Sequence, residues 1–309
     1  MSELILHHYP GSPFAEKIRL ILGYKKLAWR SVLIPNMMPK PDVIALTGGY
    51  RRTPVLQVGA DIYCDTALIA AVIEAAAPTP TLFPDGQAAQ ARMLAHWADT
   101  FLFWAAVPYT MQPAGLAAMF AGVPPEQVKA FAADRAAFRG DAPRLKPGES
   151  TGHTRVYVEW IDSLFADGRS YACGENPSIA DFALYHPLWF ILRAPPMAGM
   201  LDGRPHLQAW RERLRGFRHG AHTELTSSEA IAIASAATPA PADGAFSDTH
   251  GFARGERVRV MPVDYGLDPV EGELVVSSVN EIAVRRTDAR AGEVVVHFPR
   301  VGFQMSKAA

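Results

Sequence analysis

The chain has 309 residues, enough for two or three domains with a substantial core. Its 49% apolar and 20% charged residues match an ordinary globular protein, and a formal net charge of −1 excludes a nucleic-acid binder driven by phosphate neutralisation. The two cysteines, Cys64 and Cys173, are too few for a disulfide framework, and no apolar run approaches the roughly 20 residues that span a bilayer. With no basic, cleavable leader in Met1-Ser2-Glu3-Leu4, the expectation is a cytoplasmic protein without a membrane or nucleic-acid partner.

In chain order, residues 4–9 read as a short apolar strand, broken by Pro10-Gly11-Ser12-Pro13. A helix over about 14–25 follows, with Ser12 as its cap and Pro13 at its first position. Residues 29–34 read as a second buried strand, and 35–52, with its prolines and Gly48-Gly49, as irregular. Residues 55–58 and 62–63 form a hairpin across Gly59-Ala60-Asp61, and Thr66 opens a helix that ends near Ala77. This order fits a mixed four-stranded sheet with helices packed on it.

From Ala88 the pattern turns to helices, over about 91–107, 126–138, 154–165, 179–192 and 206–217. Apolar positions recur at three and four residues, as in Leu94, Trp97 and Phe101, which suits a bundle. A Pro-, Ala-, Gly- and Asp-rich stretch over 238–248 reads as a linker. Beyond it the period becomes two, at Val258 and Val260, Ile282 and Val284, then Val294, Val296 and Phe298, with turns at Asp268-Pro269, Asn280 and Gly292. That points to a small antiparallel barrel of roughly 60 residues. The expected division is residues 1–84, 88–236, a linker over 237–249, and 250–309.

Ser12 places a hydroxyl at a helix N-terminus, where unpaired N–H groups and the helix dipole favour anions. A thiol beside it would be held as thiolate. Capping alone also explains Ser12, and the two roles are compatible. The ten histidines show no metal-ligand spacing, and no phosphate-binding glycine loop or G-x-S-x-G elbow occurs.

Ser12-Pro13-Phe14 followed by Lys17-Ile18-Arg19-Leu20 resembles the first helix of glutathione transferases with thioredoxin-like N-terminal domains. In serine-type classes such as the plant tau class, this serine assists glutathione ionisation, and omega-class members carry cysteine there. Ala15 stands where a redox pair would have its second cysteine, so Cys-x-x-Cys exchange is excluded. Thr53-Pro54 is similar to the family's cis-proline step, whose preceding residue pairs by backbone with the cysteinyl part of glutathione. Asp65-Thr66 matches the Glu-Ser or Gln-Ser that grips the γ-glutamyl end, with a side chain one methylene shorter than glutamate. Arg51 and Arg52 stand where relatives place basic residues toward the glycyl carboxylate, though loop arginines are also commonly just solvated. Ser178-Ile179-Ala180-Asp181 resembles the family's capping box in the helical domain.

The resemblance, over about residues 4–217, implies a thioredoxin-like α/β domain, an all-helical bundle domain, and an added small all-β (SH3-like) barrel that the usual architecture lacks. It implies glutathione as co-substrate, Ser12 as catalytic residue, and Thr53, Pro54, Asp65, Thr66 and Arg52 as glutathione-binding residues. By position, Tyr9, Phe14, Trp104, Tyr109 and Met111 are expected to line a second-substrate pocket for a small hydrophobic electrophile. A homodimer is expected. Conjugation, or a related isomerisation or dehalogenation, is one reading. A non-catalytic binding or scaffold protein with an interaction barrel is the other. The barrel, neutral by its own charges, is expected to be an accessory packing or interaction module, with docking onto its own or a partner subunit as the plainer reading; a chain ending near Ala242 is expected to keep glutathione binding and to lose solubility if the barrel covers apolar surface.

Overall fold

The computed structural model describes residues 3–242, 244 and 246–308. The chain begins β1 (Ile5–His8), α1 (Pro13–Tyr24), β2 (Ala28–Leu33), α2 (Pro41–Thr47), β3 (Val55–Val58), β4 (Asp61–Cys64) and α3 (Thr66–Ala76). Four consecutive buried residues make β1 the inner strand, parallel to β2 and antiparallel to β3, while β4 folds back on β3. This is the mixed four-stranded sheet the sequence predicts. Helix α2 lies inside the stretch expected to be irregular. Pro41 sits in its first turn and Gly48, at φ 79°, ends it in a left-handed cap. The same Pro and Gly that read as loop are therefore its start and stop signals.

The helical domain runs α4 (Ala88–Trp97), a π-helical turn (Ala98–Leu102), α5 (Phe103–Thr110), α6 (Pro113–Met119), α7 (Pro125–Arg139), α8 (Pro147–Leu164), α9 (Ile179–Leu192), a 3-10 turn (Pro195–Leu201) and α10 (Pro205–Gly216). Helix α9 is buried on almost every side and lies at its centre. Its capping box is present: Ser178 N–H donates to Asp181 Oδ2 at 2.9 Å. Asp181 Oδ1 also accepts from Ala172 N–H at 2.7 Å and Trp210 Nε1–H at 2.9 Å, so one carboxylate fixes the start of α9 and the face of α10.

Next come β5 (Ala221–Glu224) and α11 (Ser227–Ala236), neither of which the sequence pattern revealed. Strand β5 pairs parallel with β2, and α11 packs near β9 and α2. Five further strands follow: β6 (Arg257–Pro262), β7 (Val270–Ser277), β8 (Glu281–Asp288), β9 (Gly292–Pro299) and β10 (Phe303–Lys307). They form a small antiparallel module in which β10 returns to pair with β6. Strand β9 pairs parallel with β4, through Asp61↔Val295, Ile62↔Val296 and Tyr63↔His297. One ten-stranded sheet results, in the order β10-β6-β7-β8-β9-β4-β3-β1-β2-β5.

Most of the module's buried apolar side chains therefore lie in a core shared with the thioredoxin-like domain, beside a small cluster of its own at Val275, Ala283 and Val295. Val258, Val260, Val294, Val296 and Phe298 share one cluster with Leu46, Val55, Ile62 and Cys64. The preceding stretch is also docked, since Ala240 N–H donates to Asp61 Oδ2 at 2.9 Å. The small β module covers the edge of the thioredoxin-like sheet, an unpaired edge being a liability. A chain ending at Ala242 is expected to expose that edge and half of the shared core. Loss of the soluble, cooperatively melting protein, read by circular dichroism and gel filtration, is the expected outcome.

The seam carries a titratable pin. His297 Nδ1 lies 2.5 Å from Glu281 Oε1 and Nε2 lies 3.1 Å from Asp61 Oδ1, with the ring stacked on Tyr63 at 4.4 Å. Burial disfavours the imidazolium, but the two carboxylates outweigh it and raise the His297 pKa above its ordinary value. A raised pKa stabilises the fold in full below the unfolded value of about 6.5, and that stabilisation is lost as pH rises through the folded one. His297→Gln is expected to cost about 1.5–3 kcal/mol at pH 6 and clearly less at pH 9, by urea denaturation at both pH values.

Candidate functional site

Ser12 caps α1: its Oγ accepts from Ala15 N–H at 3.2 Å, and its backbone N–H donates to Tyr9 O at 3.1 Å. The hydroxyl's acceptor within the protein is Thr53 O, at a long 3.5 Å, so its proton remains available to a better acceptor. Arg19, about two turns further along α1, fixes this loop by donating to Pro10 O at 3.2 Å while paired with Glu16 at 2.6 Å. Exposed Arg193, just past α9, presses on Gly11, where a Cβ would fall 2.5 Å from its Nη1.

The Thr53–Pro54 bond is cis, as the resemblance implies. Thr53 Oγ1 accepts from Lys40 Nζ at 3.1 Å, and Lys40 also reaches Arg51 O at 3.4 Å and lies 5.6 Å from the Tyr9 ring centre. Burial, with Arg135 and Arg51 adding repulsion, lowers the Lys40 pKa to about 8. The sequence pattern does not single out Lys40. Its signal, a lysine between Pro39 and Pro41 ahead of α2, is hidden in the segment that reads as irregular.

Asp65 adopts φ 73° at the start of α3 and accepts from Ala67 N–H at 2.9 Å through Oδ1. Such a backbone is costly for a residue with a side chain, and such costs concentrate at functional sites. Thr66 Oγ1 accepts from Lys17 Nζ at 3.2 Å, which leaves the threonine hydroxyl free to donate outward. Lys17 is fully buried and pairs with Asp99 Oδ2 at 2.5 Å, and His186 Nε2 lies 2.9 Å from Asp99 Oδ1. Asp99 belongs to the π-helical turn, whose wider winding re-aims its side chain relative to a regular helix. Burial opposes ionisation of Asp99, but Lys17 and the His186 bond prevail and hold its carboxyl below the usual value. Burial lowers the His186 pKa, so at neutral pH the ring donates from Nε2, while Nδ1 is buried without a partner among the described residues.

Lys17 therefore joins the starts of α1 and α3 to the helical domain. Lys17→Met is expected to leave the Asp99 carboxylate without its counter-ion, held by His186 alone, at a cost of about 3–5 kcal/mol in urea denaturation. Adding Asp99→Asn is expected to recover part of that loss.

Both loop arginines are engaged rather than solvated. Arg51 Nη2 donates to Asp134 at 2.7 Å, and its guanidinium covers the Phe138 ring. Arg52 donates to the Asp264 carboxylate and the Tyr265 carbonyl in the β6–β7 loop, and stacks 3.8 Å from the Tyr265 ring centre. The expected pocket residues separate. Half-buried Tyr9 and Phe14 flank Ser12 in sequence, with Phe14 against Phe103 and His186 at 4.6 Å each. Trp104 meets Phe103 and Tyr265 edge-on. Tyr109 is buried in the helical core, its hydroxyl donating to Met197 O at 2.9 Å. Met111 ends α5. Two open clefts of about 420 and 380 Å³ lie elsewhere, the first beside Arg257 and Arg286, the second beside Leu33 and Glu224. Among the described residues no group of three or more His, Cys, Asp or Glu is placed to hold a metal ion, and no helix is long and apolar enough to cross a membrane.

Residues 6–81 match the family model "Glutathione S-transferase, N-terminal domain", and residues 157–213 match "Glutathione S-transferase, C-terminal domain". A GST-like protein from Pseudomonas syringae is 44% identical over 99% of this chain and 100% of its own, with a TM-score of 0.82, so the C-terminal module is included in the likeness. A glutathione S-transferase from Rhodospirillum rubrum F11 is 21% identical, covering 69% of this chain and 87% of its own, with a TM-score of 0.51. Glutathione S-transferase I bound with lactoylglutathione is 16% identical, covering 75% and 100%, at a TM-score of 0.53. At those identities the last two show the fold alone. No curated protein matches the chain.

Proposed function

The chain belongs to the glutathione S-transferase family, and from that premise we propose that it binds glutathione and transfers its thiol to a small electrophile. The observation that carries this reading is Ser12: a hydroxyl at the N-terminus of α1 whose hydrogen bond to Thr53 O, at 3.5 Å, is long. A thiolate there gains a hydrogen bond from Oγ and the positive end of α1. The peptide would lie against the backbone of Thr53, just ahead of β3, with its γ-glutamyl carboxylate at the Thr66 hydroxyl and N–H. The open oxygen of Asp65 would meet its ammonium. Lys40, already against Thr53, would pair with the glycyl carboxylate in place of Arg52, whose guanidinium is held by Asp264. In the transfer step sulfur bonds to the electrophilic carbon as the bond to the leaving group breaks. The leaving group takes the electron pair, and the thiol proton has already passed to solvent. The commitment of Arg52 to the β6–β7 loop also favours a second reading, a scaffold that keeps the fold without turnover.

Ser12→Ala is expected to raise the pKa of bound glutathione by about one to two units while leaving affinity within about threefold, because one hydrogen bond to an anion is worth roughly 1.5–3 kcal/mol. Thiolate absorbance of the complex against pH checks the first, and titration calorimetry the second. No heat of binding at millimolar glutathione in the unaltered protein would sink the proposal.

A further inference from the structure

Helix α7 belongs to the helical domain by sequence, yet its C-terminal half is bonded to the other two. Pro125 opens it, an alanine-rich run carries it, and Gly140, at φ 56°, ends it. None of its fifteen residues is buried, so polar contacts have a large part in fixing where it lies. Asp134 and Phe138, four positions apart, share a face. The Arg51 guanidinium lies against both, donating to Asp134 at 2.7 Å and sitting 4.8 Å from the Phe138 ring centre. Phe138 O also accepts from Gly266 N–H of the β6–β7 loop at 2.8 Å.

One carboxylate oxygen makes the central tie. Asp134 Oδ1 accepts from Met38 N–H at 3.0 Å as well as from Arg51 Nη2. Its neighbour Arg135 donates to the Asn36 carbonyl and lies 3.4 Å from Asp134 Oδ2. The Asp134 side chain is only 9% exposed, so these bonds are shielded from water. Met38 stands two residues ahead of Lys40, and Arg51 two ahead of Thr53. Lys40 joins the same two stretches from within, donating to Thr53 Oγ1 at 3.1 Å and Arg51 O at 3.4 Å. Among the described residues its third ammonium proton has no acceptor, so it can still serve a ligand. The charged groups acting on Lys40 are Arg135 and Asp134 of α7 and Arg51 ahead of β3, and the Tyr9 ring of the β1–α1 loop faces it.

Resting on the function proposed above, we propose that Asp134 is a positioning residue for the glycyl end of glutathione, supplied by the helical domain. It acts through Lys40 and touches no part of the peptide. A lysine ammonium rides on a flexible four-carbon stem, so its aim depends on how firmly its backbone is held. Asp134 holds the two segments that set this aim, and it occupies Arg51, which leaves Lys40 as the cation that meets the glycyl carboxylate.

The test needs no turnover. Titration calorimetry on the full chain would compare glutathione with its glycyl ethyl ester, which lacks only the glycyl charge. The amine and thiol titrate alike in both ligands, so the ratio of affinities isolates the glycyl end. In the unaltered protein glutathione is expected to be preferred about tenfold at pH 7. That preference is expected to fade as pH rises past the Lys40 pKa of about 8, because the neutral amine no longer attracts the carboxylate. Asp134→Ala is expected to cut the preference to about threefold or less, with the ester's affinity within about twofold. Asp134→Asn, which keeps an oxygen acceptor for both bonds, is expected to lie between the two. Should Asp134→Ala not fold by circular dichroism, Asp134→Ser, too short to bridge both donors, takes its place with the same expectation. An unchanged preference in a folded Ala or Ser variant overturns the assignment. Equal loss of affinity for both ligands overturns it too, because α7 would then only support the fold. A preference that persists to pH 10 in the variant also overturns it, since the released Arg51 would then be the binding cation. If the unaltered protein binds both ligands equally, Lys40 does not meet the glycyl carboxylate and the assignment falls. If it binds neither, the functional reading itself fails, a result distinct from all the others.

Discussion

Three residue pairs between β4 and β9 turn two sheets into one, and the rest of the arrangement depends on that seam. Its backbone ladder is short: at about 0.5–1.5 kcal/mol net per hydrogen bond, it cannot hold a module of this size alone. Apolar burial along the seam contributes more. Val294, Val296 and Phe298 are fully buried against the cluster containing Ile62, Cys64 and Val55, and each such side chain contributes about 1.5–3 kcal/mol. Hydrophobic burial therefore provides the adhesion, while the ladder and His297 fix the register. A one-residue slip would turn Ile62 outward and Tyr63 inward, separating Tyr63 from the imidazole it stacks on.

That register reaches beyond the seam. With β9 locked to β4, the other strands follow by antiparallel pairing, and the β6–β7 loop is carried to Arg52 and Phe138. Three domains meet there, and each supplies one kind of group. The thioredoxin-like domain brings helix ends and Lys40, the helical domain brings Trp104 and Phe138, and the module brings Asp264 and Tyr265. Arg52 is the common fastener: its charge faces Asp264 and its plane faces Tyr265, two contacts a lysine could not make together.

Legibility in the sequence followed distance along the chain. The β1–α1 and β4–α3 junctions were readable because caps are local: Ser12 with Pro13, and Asp65 with Thr66, act within one turn. The period-two runs identified strands but not their partners. One sign of the seam was nevertheless present in Val294-Val295-Val296-His297-Phe298, a continuous rather than alternating run, which marks a strand covered on both faces. Strand β5, exposed along its length, and α11, with little amphipathic contrast, gave no such signal. Lys17 read as an ordinary residue of a motif helix. Its partner Asp99 lies 82 positions away and is aimed by a π-helical turn that periodicity does not reveal. Tyr265 could not be read at all, because its contacts depend on where β9 docks.

The polarity of the site follows from how its buried charges cancel. Lys17 and Asp99 neutralise each other, and the neutral His186 adds no charge, so this network fixes geometry without producing a field at Ser12. Arg19 and Glu16 cancel in the same way beneath the β1–α1 loop. What remains uncompensated at the Ser12 end is the start of α1, Lys40 over Tyr9, and Arg193 against Gly11. All three favour an anion. The two neutral pairs let the side chains that aim Ser12 and Thr66 be rigid and buried. The two cations meet the cost of desolvation differently. Arg193 stays exposed, whereas Lys40 is buried and its pKa falls to about 8, so it still carries its charge at neutral pH and an arriving anion would restore its affinity for the proton. Positioning and electrostatics are thereby assigned to different residues. A change at Ser12 or Lys40 acts on the ligand, whereas a change at Lys17 acts on the fold that presents it.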